Sequence, residues 1–162
     1  MSGGGTIVTD PNQIIFCTVL EMNERWHSLI REVCECIITA LKDFDINASY
    51  KAVNDVEVNG KKISGSGQII RDGNIAIQST LLLKQPDVRV LKNNKRKNDG
   101  LTSLIDLIGY VPELSIVKKS ISKAISDKFG EDMYDSEFSE EEKAEIEKLV
   151  RMKYGFDSYT FG

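Results

Sequence analysis

The chain has 162 residues, of which 41% are hydrophobic and 28% charged, with a formal net charge of −4 and a pI near 5.1. That length suits one domain with a real core. The acidic balance argues against a dedicated nucleic-acid partner, and no apolar run approaches the ~18 residues of a membrane helix.

The opening "MSGGGTIVTD" carries neither the charged nor the apolar part of a secretory leader. Cys17, Cys34 and Cys36 are an odd number without CxxC spacing, which points to a reduced cytoplasm. No zinc site is expected, because the one histidine is His27 and two of the cysteines are spaced i,i+2.

"QIIFCTVLEM" (residues 13–22) reads as a buried strand. Residues 24–44 read as an amphipathic helix, with Trp26, Leu29, Ile30, Val33, Ile37 and Leu41 at helical spacing and Asn23 as N-cap. That stripe, Trp26 included, is read as core, with His27 beside it and Cys34 and Cys36 as small packing residues. Asn59-Gly60 and Asp72-Gly73 are two-residue turn signals, and they predict a three-stranded antiparallel meander ending near Leu83. Residues 84–100 read as a short helix and a basic loop, "KNNKRK", solvated or facing an acidic partner. Beyond it, Thr102 and Ser103 are possible caps for "LIDLIG", and a helix is expected over 113–129. A last helix opens on the Ser139 to Glu142 capping box. With no repeat or linker, the expectation is one α+β domain over 1–162, its final third helical.

"VNDVEVNGKKISGSGQ" (residues 53–68) puts two lysines between a tight turn and four small residues. Small residues in a strand mark close approach of backbone to something else. A two-residue turn would pair Val58 with Lys61, Glu57 with Lys62, Val56 with Ile63 and Asp55 with Ser64. One face then carries Val56, Val58, Lys61 and Ile63, and the other Asp55, Glu57, Lys62 and Ser64. The plain reading is a solvated Glu57–Lys62 pair worth ~0.2–1 kcal/mol. The sharper one aims Lys62 into a ligand cleft, as a point charge for phosphate, with Gly65 and Gly67 offering N–H groups to an anion. The N-terminal "SGGG" is either a similar N–H array or linker-like sequence. There is no P-loop, GxSxG, HExxH or acyl-transfer triad.

Together these stretches resemble the lipoate–protein ligases. "SGGGTIVTD" looks like the second half of that family's Arg-Arg-x-Ser-Gly-Gly-Gly motif, and "NDVEVNGKKISGSGQ" with "GNIAIQSTLLL" looks like its lysine hairpin and following strand. "EKLVRMKYGFDSYTFG" is similar to its closing helix and tail. The resemblance implies the class II aminoacyl-tRNA synthetase/biotin synthetase-like fold, a mixed or antiparallel sheet with flanking helices. It implies ATP-dependent, Mg2+-assisted activation of lipoate or octanoate to the acyl-AMP. The acyl group then passes to a lysine of an acceptor, the lipoyl domain of a 2-oxoacid dehydrogenase E2 or the glycine cleavage H protein.

By position, the resemblance makes Lys62 the central cation, touching the acyl carbonyl and the α-phosphate. Gly5, Thr6, Ile7 and Val8 would line the nucleotide, Ser2, Gly3 and Gly4 the lipoate, and Asn54 and Asp55 the edge of the adenylate site. The chain departs from the pattern in three ways. Met1 stands inside the first motif, without its two arginines; Thr9 replaces a frequent histidine; Val8 replaces a common aromatic. A half of a split enzyme, a truncated product or a late start would explain this, and a separate chain could supply the rest. The alternatives are an ATP-independent octanoyl or lipoyl transferase, for which "DINASYKAVND" lacks the expected cysteine, and a non-catalytic lipoyl- or acceptor-binding subunit.

Overall fold

The computed structural model describes residues 9–86 and 100–160. Alternating burial along the strands and an apolar helix stripe build a first unit, Met1–Glu131. Its elements in order are β1 (Gln13–Glu21), α1 (Trp26–Lys42), β2 (Ser49–Lys51), β3 (Asp55–Val58), β4 (Lys61–Arg71), β5 (Asn74–Leu82), α2 (Leu104–Ile108) and α3 (Leu114–Phe129). The five strands form one antiparallel sheet in the order β1-β5-β4-β3-β2.

The predicted meander is present. Both turns take the left-handed backbone that a two-residue hairpin needs, with φ of +51° and +75° at Asn59-Gly60 and again at Asp72-Gly73. The short strand β2 was not foreseen; three residues, of which only Tyr50 is half-buried, leave too little alternation to detect.

One face of the sheet is dry. α1 lies on it through Leu29, Val33, Cys34, Ile37 and Leu41, and α3 packs along α1, adding Val117, Ile121 and Ala124 to the core. Trp26 is half-buried at the margin of a smaller cluster of Leu29, Val33, Ile75 and Ile77. α1 begins two residues later than expected. Arg25 is the N-cap, and Asn23 instead accepts the Arg25 N–H in a local turn. Ser103 is the N-cap of α2, but its hydroxyl donates to Asp106 rather than capping a backbone N–H.

The opposite, outer face carries Ile15, Cys17 and Val19 of β1, all exposed, then Thr80, Gly65, Gly67, Asp55 and Lys51 across the other strands. Among the described residues no helix is long and apolar enough to cross a membrane.

Asp132–Gly162 forms a second compact unit. Its helix α4 (Glu140–Leu149) opens on the expected capping box: Glu142 N–H donates to Ser139 Oγ at 3.2 Å, and Ser139 N–H donates to the Glu142 carboxylate at 2.7 Å. The helix ends in a π-turn, Val150–Tyr154, before α5 (Asp157–Thr160).

Candidate functional site

The Asn59-Gly60 turn sets the first two pairs of the β3–β4 hairpin as expected, Val58 with Lys61 and Glu57 with Lys62. The register then slips. Val56 faces Ser64, and Asp55 faces Gly65, so Ile63 is the extra residue of a β-bulge. The expected pairing of Val56 with Ile63 and Asp55 with Ser64 is therefore corrected. Ile63 and Ser64 both turn into the core, at 0% and 1% exposure, and Ser64 does not share a face with Lys62.

The bulge also decides what does share that face. Positions 62 and 65 would fall on opposite faces of a regular strand. With one residue extra between them, they fall on the same one. The Lys62 side chain lies along the outer face over Gly65, and its Nζ pairs with Asp55 Oδ1 at 2.6 Å. The expected Glu57–Lys62 pair does not form, because Glu57 pairs with Lys51 across the β2–β3 ladder. Lys62 is 39% exposed and Asp55 26%, so the pair is accessible from solvent without being freely solvated.

The Lys62 backbone is held on both sides. Beyond Glu57 on one flank, its carbonyl accepts the Thr102 N–H at 2.9 Å on the other, where Leu101 forms a parallel bridge beside it. Asn54 anchors the neighbouring strand. Its carbonyl accepts from Ser66 N–H at 2.9 Å, and its side-chain amide donates back to the Ser66 carbonyl. Beneath, Cys34 Sγ lies 3.7 Å from both the Asn54 carbonyl and Ser66 Oγ, and Ser66 Oγ meets Ser79 Oγ at 2.8 Å. Cys34, Ser66 and Ser79 thus satisfy one another under the site, whereas the buried Ser64 Oγ has no hydrogen-bond partner among the described residues.

Gly65 does not offer its N–H to an anion, contrary to expectation. That N–H donates to Thr80 Oγ1 at 3.3 Å, whose hydroxyl donates back to the Gly65 carbonyl at 3.2 Å. What Gly65 supplies is room. A Cβ there would stand 2.6 Å from Lys62 Nζ and 2.7 Å from Lys62 Cε. The Thr80 contact with Gly65 and the bridge from Leu101 to Lys62 went unnoticed in the sequence. Glycine inside a strand is itself a bulge signal and was the clue available.

Lys61 is exposed at the end of the hairpin. Its charge acts on Asp106, where burial raises the carboxyl's pKa but hydrogen bonds from Ser103 at 2.6 Å and Gln85 at 2.8 Å, with Lys61, lower it further. The three thiols are all pushed upward by burial, Cys36 to about 11. Ser2, Gly3, Gly4, Gly5, Thr6, Ile7 and Val8, and the "KNNKRK" loop, lie outside the described residues.

A family model described as the lipoyl protein ligase A/B catalytic domain matches residues 1–126. Lipoate–protein ligase 1 of Staphylococcus aureus is 27% identical over 175 residues, covering all of this chain and 52% of that protein. The octanoyltransferase LipM of Symbiobacterium thermophilum is 26% identical over 130 residues, covering 72% of this chain and 46% of that protein. The chain thus spans about half the length of these curated relatives. A crystal structure of lipoate-protein ligase A bound with ATP superposes with a TM-score of 0.86 at 18% identity, covering 98% of this chain and 68% of that one. This likeness gives the fold.

Proposed function

Because the chain belongs to the lipoyl protein ligase A/B catalytic domain family, we propose that it activates the carboxylate of lipoate, or of octanoate, with ATP and passes the acyl group to a lysine of an acceptor domain. In the first step a carboxylate oxygen attacks the α-phosphorus, and pyrophosphate leaves. In the second the acceptor amine attacks the acyl carbonyl, and AMP leaves. The observation that carries this reading is the presentation of Lys62. Its backbone is pinned on both sides and its ammonium lies on an open sheet face above a residue with no side chain. Both steps build negative charge, first on phosphoryl oxygens and then on the tetrahedral carbon's oxygen. A preset cation stabilises that charge without reorganising.

In this reading Gly5, Thr6, Ile7 and Val8 line the nucleotide, and Ser2, Gly3 and Gly4 border the acyl chain. Asn54 holds the strand that carries Asp55. Among the described residues no cluster of three or more His, Cys, Asp or Glu side chains could hold a metal ion. Mg2+ enters this reading only as the ion that accompanies ATP. The acceptor is the lipoyl domain of an E2 subunit or the glycine cleavage H protein.

The octanoyltransferase relative raises a second reading, acyl transfer through a cysteine without ATP. The thiols speak against it. A nucleophilic cysteine needs a lowered pKa, whereas burial raises all three here, and Cys34 and Cys36 are buried under the sheet. Pyrophosphate release tests the choice. Release that needs both lipoate and the chain, and fails with Lys62→Ala, supports the ligase. Transfer from a thioester donor without ATP, through a hydroxylamine-sensitive enzyme intermediate, would overturn it.

A further inference from the structure

We propose that Asp55 and Gly65 together form a seat for the Lys62 ammonium, with Asp55 acting as a positioning residue that aims the cation before any substrate binds. The inference rests on the reading of Lys62 given above and adds what sets its direction.

A lysine has four rotatable bonds beyond its backbone, and a charge that must meet a reacting phosphate is useful only when those bonds are settled. Two carboxylates stand on the same face as Lys62. Glu57, the one directly opposite in register, is engaged by Lys51. Asp55, two residues further along, meets Lys62 Nζ at 2.6 Å with its Oδ1 shut off from solvent. To reach it the lysine stem runs flat along the sheet, across the backbone of residue 65. Any side chain at 65 would fill that path: an added Cβ would stand 2.6 Å from Nζ, 2.7 Å from Cε and 3.3 Å from Asp55 Oδ1. The bulge at Ile63 puts all three residues on one face.

Gly65→Ala therefore separates aim from fold. The atoms in its way are the far end of a flexible side chain, which can swing out without disturbing the sheet. Asp55→Asn keeps the shape and removes the charge that holds Nζ. It leaves the site more positive, so anionic substrates keep their affinity while turnover falls. A general loss of structure would not split the two in that way.

The seat is read first without ligand, from the Cε methylene signals of the 13C-lysine-labelled chain. In the wild-type protein the two Lys62 Cε protons are expected to be inequivalent, as for a held side chain. In Asp55→Asn and in Gly65→Ala they are expected to collapse to one averaged signal, with melting temperature and circular dichroism unchanged. Adenylation is read second. Asp55→Asn should lower kcat at least tenfold with KM unchanged or reduced, Asp55→Glu should recover part of the loss, and Asp55→Asn should cost nothing further in a Lys62→Ala background. An unchanged Lys62 signal in both variants, or losses that multiply independently in the double variant, would overturn the proposal. If the wild-type chain adenylates neither lipoate nor octanoate, alone or with the N-terminal part of a relative added, the functional reading falls, while the ligand-free signal still decides whether the seat exists.

Discussion

Lys61 and Lys62 are neighbours in the chain but stand in different surroundings. Lys61 is exposed at the hairpin's end, while Lys62 is drawn along the sheet to Asp55. Lys62→Ala is expected to cost adenylation about 2.7–4 kcal/mol, the range for removing one group that stabilises developing charge. Lys61→Ala should stay within about ±0.5 kcal/mol. Initial rates of pyrophosphate release for the two variants check this, and equal losses would contradict it. The thiols give a second residue-scale test. With all three pKa values raised, none is an activated nucleophile at neutral pH. Alkylation of the folded chain at pH 7 should label Cys17 slowly, and Cys34 and Cys36 only after denaturant is added. Mass spectrometry of the tryptic peptides reads the result. Of this site, the sequence made Lys62 legible as the lysine apart from the valines, because the Asn59-Gly60 turn anchors the first two pairs. It did not make Asp55 legible as the partner, although it put both on one face: the turn sets Glu57 directly opposite Lys62, and only the bulge, which brings Gly65 to that face, opens the path to Asp55.

At the scale of elements, turns and helix faces were legible because each rests on a local cause. Asn-Gly and Asp-Gly tolerate positive φ, and α1 repeats its apolar residues on one side. Gly60→Ala should therefore lower stability by about 1 kcal/mol, since φ of +75° suits glycine alone. Denaturant midpoints at unchanged slope would show it. The packing of α3 on α1 was not legible, because it depends on which surfaces meet. One tie between them is Lys128 Nζ to Glu35 Oε2 at 3.1 Å, with Arg31 on the other carboxylate oxygen at 3.0 Å. The hydrogen bond from Lys128 comes first among the causes that hold the Glu35 carboxyl below its ordinary value. A carboxyl depressed in the folded state stabilises it fully above the ordinary carboxylate range, and that contribution fades as pH falls through the folded value. Both partners are more than a third exposed, so solvent screens the effect. Glu35→Gln should cost under about 1 kcal/mol near neutrality, and the difference from wild type should vanish in acid. Melting temperatures across that range test it, and a difference that grew in acid would refute the assignment.

At the scale of the whole chain, the buried residues of both core clusters belong to the first unit, Met1–Glu131, and residues 132–157 of the second unit are exposed. We propose that the first unit folds by itself, against the expectation of one domain over 1–162. A chain ending at Glu131 should keep its circular dichroism and melt cooperatively, and loss of the transition would show that the second unit is needed for the core. The family resemblance reached further than the physics of single segments, because the lysine hairpin and its small-residue run are specific as a combination. What it could not convey was how Lys62 is held, which follows from a register slip and a contact across strands.

In the proposed reaction the outer face around Lys62 receives an acyl-adenylate. Calorimetric titration of a non-hydrolysable acyl-adenylate mimic into the wild-type chain, Lys61→Ala and Lys62→Ala tests it most directly. Saturable one-to-one binding is expected for the wild-type chain and for Lys61→Ala, with a loss of roughly a hundredfold or more in affinity for Lys62→Ala. Binding by Lys62→Ala as tight as by the wild-type chain, or no binding by any of the three, would contradict it.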